Sequence, residues 1–206
     1  MYVNNYEFGH GYTIGGIPKL RELIRQRVNI SAVKPEVFAI VNRPIGKGRC
    51  FENIEELRDG LNNNTRIDEG KKWEIIDGMP GNKNLTQLAF LWATFKILVA
   101  PSGSMIYNNV FMHEGTGMCL LFTGIIDYPN IHLSIASNIF MIGVIHTGYT
   151  NLFRGSPVNV KNMTKYAQRV VDAVKNNKWM DMEGLRTGFD EDSVRKYYDD
   201  DIGKEG

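Results

Sequence analysis

The sequence predicts an α/β fold, a mainly parallel sheet with helices on both faces. Short apolar runs alternate with helical patterns from residue 36 to residue 176, joined by short connections. The runs over 36–41 and 97–100 are apolar rather than alternating, as expected of strands covered on both sides. A third observation is the stretch 97–116, ILVAPSGSMIYNNVFMHEGT. There an apolar strand breaks at Pro101-Ser102-Gly103-Ser104, and Ile106, Val110 and Phe111 follow at helical spacing. A strand, a small-residue turn and a helix start together expose backbone N–H groups to whatever sits over the turn.

Residues 1–17 carry Gly9, Gly11, Gly15 and Gly16 among aromatics and read as an irregular arm. Pro18 is placed to open a helix whose apolar face is Leu20, Leu23, Ile24 and Val28. Lys19, Arg21, Arg25 and Arg27 then read as its solvated face. Residues 36–41 (EVFAIV) form the first strand and run into a loop with Arg43, Gly46, Lys47, Gly48 and Arg49. Asn53 caps a helix over 54–61, with Glu55 and Glu56 in the turn where the dipole favours acids. A polar connector covers 62–70, and Trp73, Glu74, Ile75 and Ile76 form the second strand before a turn at 77–81. Asn84 or Thr86 begins a helix through Leu88, Phe90, Leu91 and Trp92. After the third strand and its helix come a strand over 117–122, a helix over 131–138 and a strand over 140–144. A long helix over 158–176 turns Val160, Met163, Ala167, Val170, Val171 and Val174 inward. The acidic tail from Asp181 reads as a peripheral helix followed by disorder.

Composition excludes several classes of function. With 206 residues the chain can bury a real core, and 43% hydrophobic with 23% charged residues is ordinary for a globular protein. A net charge of +1, without a dense Lys/Arg run, gives no reason to expect nucleic acid. Cys50 and Cys119 lie far apart, and His10, His113, His132 and His146 form no metal-ligand spacing, so no metal is expected. The most hydrophobic region, 118–144, is interrupted by Asp127, Tyr128, Pro129, Asn130 and His132, so no transmembrane segment is expected. No N-terminal signal is visible, which makes a reducing, cytoplasmic setting the expectation. N-x-S/T triplets begin at Asn29, Asn63, Asn84 and Asn162, as chance provides in an Asn-rich chain.

In a parallel sheet, ligands bind outside the carboxyl ends of the strands. Those ends carry the loop with Arg43, Lys47 and Arg49, whose guanidinium forks, point charge and glycines suit a diphosphate or a plain solvated loop. Ser102, Gly103 and Ser104 offer hydroxyls and backbone N–H groups to the same ligand, or form an ordinary cap and turn. Asp127 and Tyr128 follow the fourth strand, where a carboxylate could meet a sugar hydroxyl or simply form a turn. His113 and Glu114 fall at the far end of a helix and read as surface residues, and Asp77 reads first as a turn former. The loop has no GxGxxG, no Walker spacing and no GxSxG elbow, which argues against dinucleotide, P-loop and serine-hydrolase chemistry. No pair of carboxylates assigns an acid and a base.

Several segments, in order, resemble a known family. They are Phe38-Ala39-Ile40-Val41-Asn42-Arg43, the following cations, Glu55-Glu56-Leu57, the Trp73–Ile76 strand and VAPSGSMIYNNVFMHEGT. Together with Leu20-Arg21-Glu22, this pattern resembles the C-terminal half of glycosyltransferase family sixty-one, which includes capsular-polysaccharide and xylan-decorating enzymes. The family's usual central stretch is G-x-H-G-A-G-L-x-N-x-x-F-x-P-P-G-T. Gly103, Asn108, Phe111, Gly115 and Thr116 match it, whereas Ser102 stands at the histidine, Ser104-Met105 at Ala-Gly and His113-Glu114 at Pro-Pro. The resemblance covers residues 15–176. It implies a Rossmann-like domain, one half of a GT-B glycosyltransferase, that transfers a sugar without a metal from a nucleoside diphosphate sugar to a glycan or other hydroxyl acceptor. By the same resemblance Arg43, Lys47 and Arg49 would meet the diphosphate, and Ser102, Gly103, Ser104 and Asn108 would line the donor pocket. Asp127 joins them as a candidate for a sugar or ribose hydroxyl.

The expected organisation is an arm and helix over 1–33, a nucleotide-sugar-binding domain over 34–180 and an acidic tail over 181–206. The acceptor side and general base would come from an N-terminal domain or a partner chain. If the chain is a fragment of a secretory-pathway protein, a Golgi or ER lumen would replace the cytoplasm. The alternative is a non-catalytic nucleotide-sugar-binding module or subunit that needs a partner domain.

Overall fold

A computed structural model describes residues 16–44, 48–76, 84–122, 127–146, 155–180 and 187–189. Six strands form one sheet in the order β2-β1-β3-β4-β5-β6, and every pairing is parallel. The strands are β1 (Val37–Val41), β2 (Trp73–Ile76), β3 (Phe95–Pro101), β4 (Gly117–Phe122), β5 (Phe140–Ile145) and β6 (Thr187–Phe189). The helices are α1 (Ile17–Val28), α2 (Ile54–Asn64), α3 (Leu85–Ala93), α4 (Tyr128–Ala136) and α5 (Val160–Asn176). This is the Rossmann-like arrangement that the alternating pattern predicts.

Because successive side chains in a strand point to opposite faces, the apolar runs divide into two cores. Phe38, Ile40, Ile97, Val99, Cys119, Leu121, Phe140 and Ile142 pack against Leu57 and Leu61 of α2 and against Met163, Ala167 and Val170 of α5. Ala39, Val41, Leu98, Ala100, Met118, Leu120 and Met141 pack against Leu88 and Trp92 of α3, Ile106 and Phe111, and Ile131 of α4. The helix α5 enters deeply because glycines make room for it. A Cβ on Gly117 would lie 2.3 Å from Val170 Cγ1 and 2.8 Å from Val174 Cγ2, and one on Gly60 would lie 2.2 Å from Val160 Cγ1.

Several boundaries depart from the sequence pattern. The segment after β3 is a 3₁₀-helix, Ser104–Phe111, not an α-helix. It turns tightly between the buried turn at Gly103 and Met112, and Asn109 is buried on its inner side. The helix α2 continues to Asn64 and so takes up the start of the expected connector. The helix α4 begins three residues early at Tyr128, with Pro129 in the first turn where its missing N–H costs nothing. Thr187–Phe189, expected in a peripheral helix, pairs instead with Met141–Gly143 of β5.

The basic face of α1 is also not simply solvated. Arg21 is 3% exposed, and its guanidinium donates to the carbonyls of Val110 (3.2 Å), Met112 (2.6 Å) and Ser137 (2.7 Å). Those carbonyls close the 3₁₀-helix and α4, where intrahelical donors run out. The buried side of α1 is therefore Arg21 with Ile24 and Val28, while Leu20 and Leu23 face solvent. Burial, reinforced by the charge of Arg25, lowers the Arg21 pKa to about 10. No helix among the described residues is long and apolar enough to cross a membrane.

The close approach of α5 gives a test. Gly117→Ala is expected to destabilise the protein by about 1–3 kcal/mol through overpacking against Val170 and Val174. Val170→Ala in the same chain should recover part of that loss. Urea titration of the two single variants and the double variant measures the coupling, and strictly additive losses would count against the packing argument.

Candidate functional site

With all strands parallel, their carboxyl ends lie along one edge, where Arg43 and Arg49 beyond β1, Gly103 beyond β3 and Asp127 beyond β4 come near one another. The loop leaving β1 is closed at its base by Asn42. Its side-chain amide donates to Phe51 O (2.9 Å), and its oxygen accepts from Phe51 N–H (2.8 Å). The two arms of the Arg43–Arg49 loop are thereby held together, and the chain enters Phe51 as buried core.

Within that loop Gly48 (φ 70°) and Arg49 (φ 49°) are left-handed. For arginine this conformation costs roughly 1–2 kcal/mol, so the surrounding structure must hold it in place. The result is a convergence on Gly103, the glycine of the turn after β3. A Cβ on Gly103 would lie 2.9 Å from Arg43 Nη2 and 3.3 Å from both Cζ and Nη1 of Arg49. Gly103 itself has φ 148° and ψ −178°, a conformation that glycine alone adopts readily. The position therefore demands glycine twice over, for its backbone and for the two guanidinium groups lying across it.

The electrostatics follow from this packing. Burial, then the like charge of Arg49, pushes the Arg43 guanidinium below its ordinary value, while Asp127 and Cys50 pull in the opposite direction. Arg49 Nε is buried with no hydrogen-bond partner among the described residues. A buried donor left so costs about 1–3 kcal/mol, which makes it a point where an acceptor from a ligand would be favourable.

Of the residues singled out in the sequence, Arg43, Arg49, Gly103 and Asp127 come together at this edge. Ser102 adjoins them but is 2% exposed, with its N–H donated to Leu121 O (2.8 Å). Ser104 is exposed at the start of the 3₁₀-helix. The Asn108 amide closes on its own helix, donating to Met105 O (2.9 Å). Lys47 and Asp77 lie outside the described residues. His113 and Glu114 precede β4 and so stand at the opposite, amino edge, beside Arg21 and Arg25. His113 is half-buried there, not a surface residue.

Sequence reasoning passed over three residues that shape the edge. Asn42 is the loop clamp described above. Asn130, fully buried in the first turn of α4, donates from Nδ2 to Gly103 O (3.3 Å). His146, just past β5, has Nε2 at 3.3 Å from Ser156 Oγ and 3.2 Å from Pro157 O. Ser156 in turn is bonded along the backbone to Cys50 and Glu52, so β5 is strapped to the segment that follows Arg49. A polar residue beside Pro in a hydrophobic stretch was the available signal for Asn130. For His146 it was a polar residue ending an apolar run. Among the described residues, no three His, Cys, Asp or Glu side chains converge as metal ligands.

None of the curated proteins compared with the chain matches it. The sequence profile described as Glycosyltransferase 61 matches residues 1–119, more than half of the 206-residue chain. The matched region takes in Arg43, Arg49 and Gly103 and stops before Asp127, Asn130 and His146. The chain belongs to the Glycosyltransferase 61 family.

The two half-buried histidines predict a pH dependence. Burial is the main cause that lowers both from their ordinary value of 6.5; Arg25 and then Arg21 lower His113 further, while the Val33 and Pro157 carbonyls act in the opposite sense. Below that value the unfolded chain takes up protons that the folded chain refuses, so stability is full above it and falls as pH drops. Urea midpoints should therefore decline between about pH 7.5 and pH 5.5. Replacing both residues, His113→Asn with His146→Asn, should flatten that decline. An equally steep decline in the double variant would refute it.

Proposed function

We propose that this member of the Glycosyltransferase 61 family transfers a sugar from a nucleoside diphosphate donor to a hydroxyl group of a glycan or other acceptor. The carpet of positive charge over Gly103 is the observation that carries the reading. When the glycosidic bond to the donor breaks, negative charge accumulates on the departing diphosphate. Arg43 and Arg49 are placed to receive it, and their partial burial strengthens each charge–charge contact relative to water. Guanidinium forks match phosphate oxygens geometrically, and the absence of a side chain at Gly103 lets both forks lie side by side over the turn. In this reading diphosphate departure is assisted by fixed cations of the protein. Lys47 joins them from the same loop, and Ser104 and Asp127 border the ligand, with the Asp127 carboxylate available to a ribose or sugar hydroxyl. The acceptor and its general base come from a further domain or a partner chain.

One feature favours a second reading, a nucleotide-sugar-binding module without turnover. Ser102 stands where the family pattern carries histidine, and a serine hydroxyl, unlike an imidazole, does not titrate near neutral pH.

Calorimetric titration with UDP, GDP and dTDP tests the first step. At least one should bind, and Arg43→Ala or Arg49→Ala should weaken it on the order of tenfold or more, as expected for a lost charge-assisted contact. No heat with any of the three would overturn the proposal. Incubation with the corresponding nucleotide sugar then separates the readings. Release of the nucleoside diphosphate supports transfer, and binding without release supports the module.

A further inference from the structure

We infer that Asn130 is a positioning residue that aims the Ser104 backbone N–H at the diphosphate, an inference that rests on the donor reading above. The Gly103 carbonyl accepts two hydrogen bonds, from Ile106 N–H (2.9 Å) and from Asn130 Nδ2 (3.3 Å). Both donors lie on the helical side of the turn, one in the 3₁₀-helix and one in α4. In a trans peptide the carbonyl and the following N–H point in opposite directions. A Gly103 carbonyl held inward therefore turns the Ser104 N–H outward, and Ser104 is the exposed residue of the turn. Arg43 and Arg49 lie against Gly103 on the face that its missing side chain leaves open.

The need for such a clamp comes from Gly103 itself. A glycine with free φ and ψ can rotate its peptide planes at little cost, so a carbonyl could swing toward the phosphates in place of the N–H. A carbonyl oxygen there would repel the anion. Asn130 blocks that rotation, and Asn130 is itself fixed. Its backbone carbonyl accepts from Ser134 Oγ (2.6 Å), and Ser134 Oγ also accepts from Asn109 Nδ2 (3.3 Å). All three residues are fully buried. The chain of contacts ties the turn after β3, the 3₁₀-helix and α4 into one polar unit behind the turn.

The test uses the full chain and inorganic pyrophosphate, with Asn130→Leu as the variant and Ser134→Ala as a control that loosens the same network without touching Gly103. Calorimetry should show Asn130→Leu weakening pyrophosphate on the order of tenfold, the scale of one charge-assisted hydrogen bond, and Ser134→Ala changing it far less. In ¹⁵N-labelled wild-type protein the Ser104 amide should shift downfield as pyrophosphate is added, and that shift should be lost in Asn130→Leu. A Ser104 amide that does not move while wild-type protein binds pyrophosphate overturns the inference and leaves the donor reading standing. So does equal pyrophosphate affinity in wild type and Asn130→Leu. If the wild type binds neither pyrophosphate nor any of UDP, GDP and dTDP, both fall together.

Discussion

Two positive charges resting on one glycine set the terms for the rest of this molecule. Unit charges about 4 Å apart repel by about 1 kcal/mol in water and by about 4 kcal/mol near a protein surface. Arg43 and Arg49 can share Gly103 only if the backbone on both sides is held firmly. The parallel pairing of β1 with β3 brings the two segments to one edge. The reciprocal bonds between Asn42 and Phe51 close the loop, and the Ser156 strap anchors its far arm. Gly155 allows that strap to lie close, since a Cβ there would stand 2.5 Å from Cys50 Sγ. Asp127 offsets the charge in part.

The two faces of the sheet solve different problems. The α2/α5 face is an apolar contact whose tight spots are relieved by glycines. The opposite face mixes apolar packing with buried polar groups. Arg21, Asn109, Asn130, Ser134 and Ser137 are all nearly or fully enclosed there. The 3₁₀-helix and the short α4 end inside the protein and leave carbonyls that need donors. Arg21 answers three of them, which explains why a charged side chain lies beneath α1 while two leucines stay outside. Some groups remain unmatched among the described residues, Asn130 Oδ1 and Asn109 Oδ1 included. Such atoms are costly, and two of them, Asn130 Oδ1 and Arg49 Nε, belong to residues that touch the turn at Gly103.

The central sheet was legible in the sequence because β1, β4 and β5 and most of β3 are buried on both faces and appear as apolar runs, whereas the short edge strand β6 was not. The boundaries of β2 and β4 follow directly from Trp73–Ile76 and Gly117–Phe122. The helix after β3 was read with the wrong hydrogen-bond pattern, since Ile106 and Val110 suggest a 3.6 period, whereas the tighter 3₁₀ turn buries Ile106 together with the polar Asn109 three positions on. Arg21 was read as solvated because periodicity registers hydrophobicity and has no means of registering a carbonyl's demand for a donor. In the site, Arg43, Arg49 and Gly103 could be found because charge and glycine stand out in a strand-end loop. Asn42, Asn130 and His146 act through contacts that lie 9 to 27 positions away, so a polar residue could be noticed in each place but its partner could not be read from local pattern.

The strand order has a consequence for how the molecule comes into being. After β1 and β2 pair, β3 joins the other side of β1, and β4, β5 and β6 each add beside the strand made just before. No later strand has to insert between two that are already joined. A chain emerging from the ribosome, amino end first, can extend its sheet by accretion, with the growing edge always the most recent strand. The crossover helices close each step locally, which limits the loop that must be ordered before the next pairing forms. The cradle over Gly103 draws first on β1 and β3, so its two arginines can be in place well before translation of the chain is finished.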